Sequence, residues 1–173
     1  MPDSDDPLAS PPRCLAGLSV RRIEIRCLAL ARFSTAFAIA CPCGGQLGSV
    51  LGYPSATLNQ GHVAGRELTS PLSFLCMTCE VTTPFFDSAL HGYRGEMGSS
   101  AKPRGTGGPA AYDCPACAAR LFALTLHFEY AEAAFDLLED DPATALQDYF
   151  QRLSLSGTCE ACLSASTIAD LEL

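Results

Sequence analysis

Apolar and polar residues alternate most clearly in LFALTLHFEY. There Leu124, Leu126, Phe128 and Tyr130 share one face, and Thr125, His127 and Glu129 share the other. A period of two predicts a half-buried strand. A second alternation in IEIRCLALARF sets Ile23, Ile25, Cys27 and Ala29 against Glu24, Arg26, Leu28 and Leu30, and STAFAIA predicts another strand leading into Cys41. In PLSFLCMTCEVTTPFF two short apolar runs flank a turn, and LSLSGTCEAC predicts a return beside the long strand. The segment between Cys43 and Pro71 reads as loops and a hairpin. Asp141 as N-cap, Pro142 at the first helical position, and Leu146, Tyr149, Phe150 and Leu153 at helical spacing predict one short helix. The fold class expected is mainly β with a short helix.

Two segments break this pattern. Residues 1–18 carry four prolines, three Asp and two Ser, and are expected to form a disordered tail. Residues 93–111 are rich in Gly, Ser and Pro, hold the sole lysine, Lys102, and read as a flexible linker. The remainder divides into two tandem units, 19–92 and 112–173.

Composition sharpens this picture. With 48% hydrophobic residues in 173, the chain has the makeup of a globular protein. MPDSDDPLASPP has no basic start and no apolar core segment, so it does not read as a secretory signal. No run reaches the roughly 18 apolar residues of a membrane span. The expectation is a soluble cytoplasmic protein with reduced thiols and no membrane partner. Net charge is −8 and unevenly spread: from Phe128 to the end, ten acidic residues face Arg152 alone. Such a surface repels phosphate backbones and suits a basic protein partner.

Eight of the ten cysteines form close pairs: Cys41 with Cys43, Cys76 with Cys79, Cys114 with Cys117, and Cys159 with Cys162. Three pairs are C-x-x-C, a spacing that lets two thiolates of one turn converge on one ion; two such turns complete a tetrahedral shell. The fourth, CPCGG, is one residue short. Its sulfurs can still chelate, because side chains at i and i+2 of an extended segment point the same way and Gly44 and Gly45 permit the chain to fold back. The linker separates the second and third pairs, so combination in chain order is expected: the first two pairs on one metal, the last two on another. Cys14 and Cys27 have no close partner and are expected to be non-ligands.

CPCGG with CMTC, and CPAC with CEAC, resemble the zinc-ribbon, rubredoxin-like class, over most of residues 33–173. The resemblance implies two tandem β-hairpin units, each with a structural four-cysteine zinc site, and carries no particular activity. Iron also suits four thiolates and stays open as a rival metal. CPAC is followed by Ala118, and CMTC and CEAC lack both the usual Pro and the trailing Gly.

A closed four-cysteine shell leaves no coordination site for catalysis. The leading expectation is therefore a non-enzymatic zinc-binding adaptor. The alternatives are a nucleic-acid-associated ribbon, supported by Arg21, Arg22, Arg26 and Arg32, and an enzyme using Asp87 and His91, with Tyr93, Arg94 and Glu96 nearby. Asp87 and His91 read more simply as a turn, and His127 as an exposed strand residue.

Overall fold

The computed structural model describes residues 6–25, 33–55, 67–92, 105, 107–140 and 145–173, with side chains of the helix up to Asp136. Among the described residues nine strands form one sheet: β1 (Ser19–Ile23), β2 (Ser34–Ala40), β3 (Gly48–Pro54), β4 (Leu68–Cys76), β5 (Thr82–Phe86), β6 (Ala110–Ala111), β7 (Phe122–Glu129), β8 (Arg152–Cys159) and β9 (Ala165–Glu172). A helix, α1 (Ala133–Asp140), lies between β7 and β8. All pairings are antiparallel, and β7 is central, flanked by β2 and β8 along its length and touching β3 at one residue pair. Its alternation behaves as the sequence implies: Phe122, Leu124, Leu126 and Phe128 are buried while Thr125, His127 and Glu129 are half-buried. Phe37, Phe74, Phe85, Phe86, Phe150, Tyr112 and Tyr130 add further buried aromatic rings.

Numbered from its cysteines, each half of the sheet repeats the other. Gly48 lies five residues after Cys43, and Phe122 five after Cys117; Gly48 pairs with Cys76 and Phe122 with Cys159. The hairpins agree too, since Leu75 faces Thr82 as Thr158 faces Ala165. Even the register shift recurs: Leu72 faces Phe86 after Ser73 faces Pro84, as Leu155 faces Ala169 after Ser156 faces Thr167. The halves meet antiparallel at equivalent residues, Gly48 opposite Phe122, as an approximate two-fold axis requires. They also exchange strands. β2 of the first half pairs with β7 of the second, Phe37 opposite Leu126; β6 of the second pairs with β3 of the first, Ala110 opposite Gly52.

Several expectations need correction. Strands from 19–92 and from 112–173 interleave in one sheet, with Gly48 of the first opposite Phe122 of the second. Ala110 and Ala111, inside the expected linker 93–111, form β6, because pairing uses only backbone groups and composition does not report it. The expected tail 1–18 is structured from Asp6 on. Leu8, Leu15 and Leu18 are buried, a 3-10 helix spans Arg13–Leu15, and Arg13 and Arg22 pair with Asp148 and Asp6 at 2.8 and 2.6 Å. Pro7, Pro11 and Pro12 thus accompany turns in a leucine-anchored strap. Asp141 and Pro142, the expected helix start, lie outside the described residues; the described α-helix is α1, upstream, while Leu146–Asp148 is a 3-10 turn and Leu153 belongs to β8. Leu146, Phe150 and Leu153 are all buried, and that burial mimicked a helical period. β1 ends at Ile23, short of the expected strand, and residues 26–32, including Cys27, lie outside the described residues.

Candidate metal centres

Each cysteine pair occupies a tight loop at the end of a strand. In all four, the N–H of the first cysteine donates to the carbonyl two residues after the second: Cys41 to Gly45, Cys76 to Val81, Cys114 to Ala119 and Cys159 to Ser164, at 2.8–3.0 Å. The three C-x-x-C loops close further through Glu80, Ala118 and Leu163, whose N–H groups reach the carbonyls of Cys76, Cys114 and Cys159. CPCGG, one residue shorter, makes the next tighter ring, Gly44 N–H to the Cys41 carbonyl at 2.9 Å. The residue after the second cysteine takes positive φ every time: Gly44 at 92°, Glu80 at 59°, Ala118 at 59° and Leu163 at 58°. Three loops therefore hold a non-glycine residue where glycine carries no steric cost.

The loops converge in chain order. Cys41, Cys43, Cys76 and Cys79 bring four sulfurs within 4.8 Å of one another, as do Cys114, Cys117, Cys159 and Cys162. Cross-loop separations are 3.5 Å for Cys41 to Cys79 and 3.6 Å for Cys43 to Cys76, Cys114 to Cys162 and Cys117 to Cys159. These are far beyond a disulfide bond and close to the roughly 3.7 Å edge of a tetrahedral shell with 2.3 Å metal–sulfur bonds. In each pair the first cysteine is buried and the second exposed. Backbone N–H groups point at the sulfurs, from Gly45 to Cys43 at 3.4 Å and from Thr78 to Cys76 at 3.3 Å. The geometry and the donor set both fit a metal ion.

Electrostatics agrees with geometry. Backbone N–H donation from Cys79, with Thr78 and the neighbouring sulfurs, lowers Cys76 to about 6. The Ser164 hydroxyl, with the N–H groups of Ala116 and Cys117, lowers Cys114 to about 6. Cys41 moves the other way: the Cys43 N–H favours its thiolate, but burial and the surrounding sulfurs outweigh it and raise the thiol to about 12. Cys117 likewise rises to about 12, its Ala119 N–H outweighed by the other three sulfurs and burial. Each cluster can thus ionise in part unaided, and holding all four thiolates together calls for a cation.

The clusters differ in detail. Ser164 reaches Cys162 at 2.9 Å and Cys114 at 3.5 Å, whereas Val81 holds the equivalent place in the first cluster. A Cβ added to Gly45 would sit 2.8 Å from the Cys76 sulfur, while its counterpart Ala119 already carries one. The sequence reading missed Ser164 and Thr78; a polar residue beside each cysteine pair was the available signal.

Other candidates fall elsewhere. Cys14 is outside both clusters, packed against the core, with its thiol pushed to about 12 chiefly by burial. His91 Nδ1 accepts from the Asp87 N–H at 2.9 Å, and Asp87 Oδ1 accepts from Ala89 at 2.9 Å, so both close a turn. Tyr93, Arg94, Glu96, His62, Arg26 and Arg32 lie outside the described residues. His127 sits 3.8 Å from Glu129, its pKa lowered mainly by burial. The chain matches no protein-family model, no curated protein and no solved structure.

Proposed function

We propose that this is a non-enzymatic zinc protein: two structural four-cysteine zinc-ribbon-like centres hold a β scaffold that presents an acidic surface to a protein partner. The observation that carries the reading is the closure of two four-sulfur clusters from four repeated loops. Thiolate-only, four-coordinate shells are the preference of structural zinc, and zinc has no redox chemistry to manage there. Iron remains the rival to be tested.

Exposed apolar residues on the loops, Met77, Val81 and Leu163, together with the acidic C-terminal half, favour a partner with basic and apolar groups. Ion pairs of Arg13, Arg22, Arg120 and Arg152 with carboxylates disfavour the nucleic-acid reading. Among the described residues no helix is long and apolar enough to cross a membrane. The test combines elemental analysis of purified protein with binding assays at physiological salt. Two zinc ions per chain, salt-sensitive binding of arginine-rich peptides and no oligonucleotide binding are expected. A metal-free folded protein would overturn the zinc assignment, and submicromolar oligonucleotide binding would overturn the partner assignment.

A further inference from the structure

We infer that the two metal centres load cooperatively, each being closed by strands that the other half of the chain supplies; the inference rests on the metal reading above. The Cys41/Cys43 loop hangs from β2, whose residues Ser34 to Ile39 pair with Glu129 to Leu124 of β7. β7 begins at Phe122, five residues beyond Cys117 of the other centre. Conversely, the Cys114/Cys117 loop follows β6, which pairs with Leu51 and Gly52 of β3, and β3 begins at Gly48, five residues beyond Cys43. Placing one half-site therefore requires the strand that emerges from the other centre.

The centres also share a strand-to-strand connection. Cys76 pairs with Gly48, Gly48 with Phe122, and Phe122 with Cys159. Each end of this row is a buried ligand of a different centre. A metal that fixes Cys76 fixes the start of β3, and through it the start of β7 and the position of Cys159. Binding free energy invested in one centre thus lowers the ordering cost of the other, which is positive coupling between sites.

The experiment uses the full chain, reduced and stripped with a chelator, then re-equilibrated with buffered zinc and resolved by native mass spectrometry. For centres of equal intrinsic affinity, independent sites leave about half of the molecules singly loaded at one equivalent, whereas fivefold coupling, at the low end of the ordinary range, leaves about a third. A singly loaded fraction clearly below half is expected; half or more, together with unchanged affinity at the intact centre in both variants below, would overturn the inference. A chain that binds no zinc would overturn the metal reading itself, a separate result. Two variants give a second readout through the cobalt–thiolate absorption of the intact centre. Cys43→Ser removes one ligand. Gly45→Ala keeps all eight cysteines but crowds the Cys76 sulfur. Each should weaken cobalt binding at Cys114, Cys117, Cys159 and Cys162 by at least about fivefold; unchanged affinity there in both variants would overturn the inference.

Discussion

Cys76 and Cys159, members of different sulfur clusters, stand at the two ends of one cross-strand row that passes through Gly48 and Phe122. At normal strand spacing the row is about 14 Å long. Its midpoint is the Gly48–Phe122 pair, where the two halves of the chain meet at equivalent positions. The consequences of this arrangement can be measured.

Gly48 has no space for a side chain. An added Cβ would lie 2.3 Å from the Phe74 ring and 2.5 Å from the Leu75 carbonyl oxygen. Gly48→Ala should destabilise the metal-loaded protein by about 1–3 kcal/mol, the usual cost of overpacking. Gly108→Ala, with open space around the new Cβ, is the matched control and should stay within about 0.5 kcal/mol. Equal denaturation midpoints for the two variants would contradict the packing described.

The positive-φ loop positions make opposite predictions for opposite changes. Ala118→Gly removes the left-handed penalty and should stabilise the loaded protein by up to about 1 kcal/mol. Gly44→Ala introduces strain at φ 92° with no steric contact nearby, and should cost about 1–2 kcal/mol. Equilibrium denaturation of both proteins checks the pair of signs.

Much of this architecture was legible in the chain, and the reasons for the remainder are physical. STAFAIA and LFALTLHFEY became β2 and β7 because one face of each meets the core, and period two records that. The cysteine spacing identified the four close pairs, and the linker-like composition between the second and third pointed to their combination in chain order, as the two clusters have it. Strand exchange left no local trace. Ala110 and Ala111 look like linker, and nothing in Phe37 announces that it will face Leu126 of the other half. Tertiary burial also misled the helical reading of Leu146, Phe150 and Leu153. The four trailing residues Gly44, Glu80, Ala118 and Leu163 all take positive φ with four different side chains, so composition concealed their common role.

Strand exchange sets the behaviour of the isolated segment 112–173. That segment holds all four sulfurs of the second cluster but lacks β2, leaving the β7 edge open. An open edge recruits another strand. Sedimentation of the metal-treated fragment should show concentration-dependent self-association; a stable monomer that holds its metal as tightly as the full chain would contradict the shared scaffold.

Metal uptake should release protons. Without metal, the Cys41 and Cys117 thiols stand at about 12 and hold their protons at neutral pH, so each incoming ion must displace at least one. Apparent zinc affinity should therefore rise with pH from 6 to 8. Cys76 and Cys114, at about 6, add further proton competition only as pH falls toward and below that value. Calorimetry in buffers of different ionisation enthalpy measures the protons released. A pH-independent affinity would contradict the four-thiolate assignment.

X-ray absorption spectroscopy at the metal edge of the purified full-length protein tests the central claim most directly. The expected result is zinc at both centres, with four sulfur neighbours per ion at about 2.3 Å and no nitrogen or oxygen in the shell. A shell containing nitrogen or oxygen, or no bound metal in a protein that is nonetheless folded, would contradict two structural centres built from Cys41, Cys43, Cys76 and Cys79 and from Cys114, Cys117, Cys159 and Cys162.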